Sequence, residues 1–244
     1  MKSPLRDTPP PYSTVVFDCD STLSSIEGIE DLVPESSPEL EELTAAAMNG
    51  ELPLEAVYGK RLELVRPTRQ AVLDVGARYI ETVLPHAAAL IAALHALDKR
   101  VLIVSGGLLP AVAILGEHLG IPAAETHAVD IHFDQAGEYA GFETDSPLAR
   151  AGGKLDLLSS LTTAGAVALI GDGATDLEAA GACARFIAFG GGVLRKSVFE
   201  AAPIGLTEAN FAALLPLLCS PPEIDRLKSL PAHTNLVDAA GPWL

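Results

Sequence analysis

The most constraining feature of this chain is a set of short apolar runs, each ending on a polar or glycine-rich cluster. Thr14-Val-Val-Phe17 is the first, and it stops at Asp18-Cys-Asp-Ser-Thr22. Similar runs recur at Val101–Val104, Val167–Ile170, Phe186–Phe189 and, more weakly, Ile204–Leu206. Continuous β-branched and apolar runs read as strands buried on both faces, and helical patterns separate them here. Such alternation predicts an α/β fold with a parallel sheet covered on both sides. The carboxyl ends of parallel strands share one edge of the sheet, and that edge is where open α/β folds bind ligands.

About eighty residues separate the first two strands, far more than one crossover requires. Ser36-x-x-Glu39 has the form of a capping box before Leu40, Leu43 and Ala47, and Asn49-Gly50 would end that helix. Pro53 opens a second helix with Leu54, Val57, Tyr58, Leu62 and Val65 on one side, and Pro67 to Leu84 makes a third before Pro85. The spacing predicts a small helical cap over residues 24–80, inserted into a core of residues 13–23 and 81–219. His86–Lys99 reads as a crossover helix, and another runs from Leu109 to a C-cap at Gly120. Val129–Phe133 and Glu138–Phe142 flank Asp134-Gln-Ala-Gly137 as a β-hairpin. The proline-rich residues 1–12 and the tail 220–244 are expected to be peripheral.

Three polar clusters fall on the sheet edge. Asp18 and Asp20 follow the first strand, Ser105-Gly-Gly107 the second, and Gly171-Asp-Gly-Ala-Thr-Asp176 the Val167–Ile170 strand. Lys154 stands just before a helix read over residues 155–161, and Leu148 occupies the position where a Walker A loop needs glycine. Several carboxylates on one edge repel each other unless a cation lies among them. Oxygen-only ligands suit a hard ion such as Mg²⁺. Glycine turns with a hydroxyl and a lysine form an anion pocket. Together these are the parts of phosphoryl transfer through an aspartyl phosphate.

Charge narrows the partners. The chain carries 32 acidic and 16 basic residues, a formal net charge of −16. No basic cluster is available to neutralise a nucleic-acid backbone, and an anionic membrane would repel this surface. Cys19, Cys183 and Cys219 are odd in number and lack a CxxC spacing, which argues against a disulfide framework or a structural zinc site. No segment reads as a signal peptide or membrane span. A reducing, cytoplasmic setting is expected, as a monomer or homodimer acting on a small-molecule phosphate ester.

The ordered motifs Asp18-x-Asp-Ser-Thr22, Ser105-Gly-Gly, Lys154 and Gly171-Asp-Gly-x-x-Asp176 resemble those of the haloacid dehalogenase superfamily. Glu27-Gly-Ile, Arg61-Leu-Glu-Leu-Val, Gly137-Glu-Tyr-Ala-Gly-Phe142 and Gly152-Gly-Lys154 are similar to its phosphoserine phosphatase branch, over about residues 14–218. The resemblance implies a Rossmannoid core and Mg²⁺-dependent hydrolysis of O-phospho-L-serine through a phosphoenzyme on Asp18. Asp18 would be nucleophile and metal ligand. Asp20 would be general acid and base, and would lend its backbone carbonyl to the metal. Asp172 would complete the metal's protein ligands, and Asp176, with Thr175, would support the metal shell. Ser105, Gly106 and Lys154 would hold the phosphoryl group, while Glu27 meets the substrate ammonium and Arg61 its carboxylate.

Arg61 has a reading of its own. With Leu54 at zero, it falls at about 340°, inside the apolar arc between Val57 and Val65. A cation there either snorkels or meets an anion. Leu54 and Leu108 stand where relatives often carry phenylalanine, which leaves pocket shape open. The rival readings are a phosphatase or phosphotransferase for another small ester, such as phosphothreonine or phosphohomoserine, and a non-catalytic phosphate sensor.

Overall fold

The computed structural model describes residues 10–33, 38–48, 51–161 and 165–244. Among them run the strands β1 (Thr14–Phe17), β2 (Arg100–Leu108), β3 (Thr126–Val129), β4 (Ile131–Phe133), β5 (Tyr139–Phe142), β6 (Val167–Gly171), β7 (Arg185–Phe189) and β8 (Ile204–Leu206). Six form one sheet in the order β3-β2-β1-β6-β7-β8, with every neighbouring pair parallel. β4 and β5 pair antiparallel apart from it. The central strands owe their place to continuous apolar sequence: Val15, Val16, Phe17, Leu169 and Ile170 are wholly buried.

The helices are α1 (Pro38–Met48), α2 (Leu54–Val65), α3 (Arg69–Glu81), α4 (Ala87–Ala96), α5 (Leu109–His118), α6 (Gly153–Ser160), α7 (Ala174–Ala179), α8 (Lys196–Ala201), α9 (Leu215–Leu218), α10 (Pro221–Lys228) and α11 (Thr234–Ala240). None in the described residues is long and apolar enough to cross a membrane. The first three lie between β1 and β2, as the long spacing there predicts. Ser36 and Asn49-Gly50, the expected ends of the first, fall outside the described residues. α3 starts later than expected because Thr68 caps it, its hydroxyl accepting from the Ala71 N–H. It packs close on α5: a Cβ at Gly76 would lie 2.6 Å from Ile114 Cδ1 and 3.2 Å from the Ala111 carbonyl oxygen.

Three expectations need correction. Ser105-Gly-Gly lies within β2, not beyond it. Val104 faces His127 and Leu108 faces Val129, so the strand bulges there against β3. Val129 ends β3 and is not in the hairpin. The half-buried His127 and Ala128 break the apolar run, so this edge strand left no clear signal.

The third correction concerns the ends. Tyr12 is 1% exposed, and Leu227, Leu236 and Ala240 are buried in the core. Lys99 Nζ, just before β2, donates to the Tyr12 carbonyl (2.7 Å) and to Glu223 (2.6 Å), tying both ends together there. The tail's prolines mark helix starts and not loose chain: Pro221 opens α10, whose first turn is closed by Ser220 and Glu223.

Candidate active site

The carboxyl ends of β1, β2, β6 and β7 meet at one edge, where β1, β6 and β7 each contribute a loop and β2 its bulged Ser105-Gly106-Gly107 segment. Asp18 follows β1. Its Oδ1 accepts from the Cys19 N–H (2.7 Å) and from Lys154 Nζ (2.9 Å). Lys154, in the first turn of α6, also reaches Asp176 Oδ1 (2.7 Å), and Asp176 Oδ2 accepts from the Gly173 N–H (3.0 Å). Burial by itself would lower the Lys154 pKa, but Asp176 and Asp18 outweigh it and raise it. Lys154 can stand so deep because Gly153 precedes it: a Cβ there would overlap the Pro147 carbonyl.

Asp20 lies beyond Asp18 in a tight loop where Ser21 takes a left-handed φ of 52°. Its Oδ1 accepts from the Gly28 N–H (2.8 Å) and the Tyr79 hydroxyl (2.5 Å). Burial and the nearby Glu27 carboxylate push its pKa up to about 7, against the opposing Tyr79 and Gly28 hydrogen bonds. Such a group can both give and take a proton near neutrality.

Arg195 was not foreseen. It follows β7 and the loop Gly190-Gly-Gly192, and its side chain is 8% exposed. Nε donates to Asp172 Oδ2 (2.7 Å), and a terminal nitrogen to Glu27 Oε1 (2.6 Å). Thr22 takes the other Asp172 oxygen (3.1 Å), and Ser21 also donates to Glu27 Oε1 (2.6 Å). Burial, then Glu27, push the Asp172 pKa well above the usual carboxylate range despite Arg195. The strand-end rule that selected the other clusters also covers this loop. A Cβ at Gly192 would overlap the Ser21 carbonyl, so glycine is what lets the two loops touch.

From the other side, α2 covers the edge. Arg61 is 3% exposed, and its Nε has no hydrogen-bond partner among the described residues. Tyr58 donates to the Gly106 carbonyl (2.8 Å), and Glu55 accepts from the Ala151 N–H (2.9 Å). The enclosed cavity has a volume of about 20 Å³, room for one or two waters.

Of the residues singled out in the sequence, Asp18, Asp20, Glu27, Arg61, Gly106, Lys154, Asp172 and Thr175 line this cavity. Asp176 is wholly buried and engages Lys154. Ser105 is equally buried, and its Oγ accepts from the Gly107 N–H (2.9 Å). Oxygens of Asp18, Asp172 and Asp176 lie within 4.8 Å of one another. The expected ligand set had the Asp20 carbonyl in place of an Asp176 oxygen. Both Asp176 oxygens are already engaged by Lys154 and Gly173. Five carboxylates (Asp18, Asp20, Glu27, Asp172 and Asp176) face three cations, Lys154, Arg195 and Arg61. All-oxygen donors with surplus negative charge fit a hard divalent cation, which would also reverse the upward pKa shift of Asp172.

A haloacid dehalogenase-like hydrolase family profile matches residues 12–183. A phosphoserine phosphatase of Homo sapiens is 36% identical over 199 residues, covering 80% of this chain and 88% of that protein. One of Drosophila melanogaster is 34% identical over 200 residues, covering 80% and 74%. The chain belongs to the phosphoserine phosphatase branch of the haloacid dehalogenase-like hydrolases. A phosphoserine phosphohydrolase-like protein from Francisella tularensis superposes with a TM-score of 0.75 at 26% identity, over 83% of this chain and 99% of that one.

Proposed function

We propose that this phosphoric monoester hydrolase cleaves O-phospho-L-serine to L-serine and phosphate, with Mg²⁺ as its metal. The carrying observation is the one-sided restraint of Asp18. Cys19 and Lys154 both hold Oδ1, so Oδ2 is the oxygen left to attack phosphorus. Asp18, Asp172 and the Asp20 carbonyl would hold the Mg²⁺, with Asp176 and Thr175 behind them. When bound, the ion offsets the charge of the phosphoryl oxygens against the carboxylates.

The remaining work falls to side chains of the chain itself. Lys154, Ser105 and the Gly106 N–H orient the phosphoryl group. Asp20 gives a proton to the serine oxygen as the P–O bond breaks, then takes one from the water that attacks the phosphoaspartate. Arg61 receives the substrate carboxylate, the anion its buried guanidinium lacks. Glu27 uses Oε2 for the ammonium, since Oε1 is held by Ser21 and Arg195. A cavity of about 20 Å³ cannot admit the substrate. The helical region over residues 24–80 therefore acts as a cap. α2 lifts, breaking the Tyr58–Gly106 and Glu55–Ala151 hydrogen bonds, and closes again to exclude water.

Phosphate release from phospho-L-serine, phospho-L-threonine, phosphoethanolamine and sugar phosphates, with and without Mg²⁺, tests this reading. Phosphoserine should be preferred, and Asp18→Asn should abolish turnover while keeping the native circular dichroism spectrum. Wild-type activity in Asp18→Asn would reject the mechanism.

A further inference from the structure

We propose that Tyr79 is a positioning residue that fixes which oxygen of Asp20 handles the proton. The inference rests on Asp20 being the acid of the proposed reaction.

Tyr79 is wholly buried in α3, and its hydroxyl donates to Asp20 Oδ1. The Gly28 N–H donates to the same oxygen. Two donors occupy the lone pairs of Oδ1, so the acid proton of Asp20 belongs on Oδ2. Oδ2 points elsewhere: a Cβ at Gly107 would lie 3.0 Å from it. Thus Oδ1 faces α3, and Oδ2 faces the Ser105-Gly106-Gly107 segment where the phosphoryl group is to sit. In the forward step an Asp18 oxygen bonds to phosphorus and the P–Oγ bond breaks. The departing serine Oγ then takes the proton from Oδ2.

The contact is built from both sides. A Cβ at Gly28 would overlap the Tyr79 hydroxyl, so glycine there makes room for the phenol as well as supplying the second donor. α3 is in turn seated on α5 through Gly76, away from the α2 hydrogen bonds that must break on opening. Only α2 lifts, so Gly28 and Tyr79 stay in place and the acid stays aimed. Without the phenol, Oδ1 has a free lone pair, and the proton can reside on the oxygen turned away from the substrate.

Leaving-group dependence separates this role from a structural one. Serine alkoxide must be protonated as it departs, whereas p-nitrophenolate leaves without help. The quantity to read is kcat/KM, which reports events through phosphoenzyme formation. Tyr79→Phe should lower it at least about tenfold for phosphoserine and less than about threefold for p-nitrophenyl phosphate. Tyr79→Gln, which keeps a donor, should recover part of the phosphoserine rate. Gly28→Ala, which keeps the phenol but displaces it, should give the same signature as Tyr79→Phe. Equal losses on both substrates, or no loss on phosphoserine, would overturn the inference. Asp20→Asn must itself show the split. If it loses both substrates alike, the acid assignment falls and the Tyr79 role with it. If it shows the split and the Tyr79 and Gly28 variants do not, only the Tyr79 role falls.

Discussion

Arg61→Met separates substrate recognition from stability, because the two should move in opposite directions. The guanidinium is 3% exposed with an unpartnered Nε, so the substrate-free protein bears the cost of a buried, under-paired cation. Methionine keeps most of the stem on the buried face of α2 while deleting the charge. The unpaired polar group costs about 1–3 kcal/mol, so the substrate-free variant should melt at least about 2–4 °C higher. Binding reverses the sign. Removing one partner of a desolvated charge pair costs about 2–5 kcal/mol, and 3–4 kcal/mol corresponds to roughly 10²–10³-fold in kcat/KM for phosphoserine. Phosphoethanolamine has no carboxylate and p-nitrophenyl phosphate has neither polar group, so both should change by less than about threefold. The assay is kcat/KM on the three esters beside a thermal melt without substrate. An equal loss on all three, or a melting point several degrees lower, would show that Arg61 braces the fold and does not clamp a carboxylate.

Two further outcomes are expected. Adding Mg²⁺ to metal-stripped protein at about a hundredfold over its dissociation constant should stabilise it by about 2.7 kcal/mol, and Asp172→Asn should largely remove that shift in a thermal melt. Burial by itself would raise the Glu223 carboxyl, but hydrogen bonds from Lys99 and Ser220 outweigh it and hold it below its ordinary value. Because the folded-state value is depressed, this stability is present above the unfolded value and lost as pH falls through the folded one. Glu223→Gln should therefore cost about 1–2 kcal/mol at pH 7, because Lys99 is left buried without its carboxylate while solvent already screens the partly exposed Glu223. That difference should fade as pH drops below about 4.3, read as urea midpoints across pH.

What was legible in the sequence was local. Val15-Val-Phe17 and Ala168-Leu-Ile170 announce buried strands within a few residues, because a strand covered on both faces has no polar position to alternate with. Asp18, Asp20, Asp172 and Asp176 are legible because the polar residue that ends such a run is carried to the sheet edge by chain direction alone. Arg61 showed itself by its place in an apolar arc. Arg195 carried a usable signal, the Gly190-Gly-Gly192 turn after a buried strand, but nothing local says that a charge there will face Asp172 and Glu27.

The sequence by itself therefore determined that the polar clusters collect along one sheet edge, their sign of charge and their need for a cation. Tertiary structure alone decided the pairings. Tyr79 meets Asp20 across 59 residues and Arg195 meets Glu27 across 168. It also drew a proline-rich tail into the core through Lys99 and Glu223. The physical reason is range. Periodicity and strand ends report what the backbone does over a few residues. The partner of a buried polar atom is chosen by whichever group, however distant in the chain, the packing brings within about 3 Å.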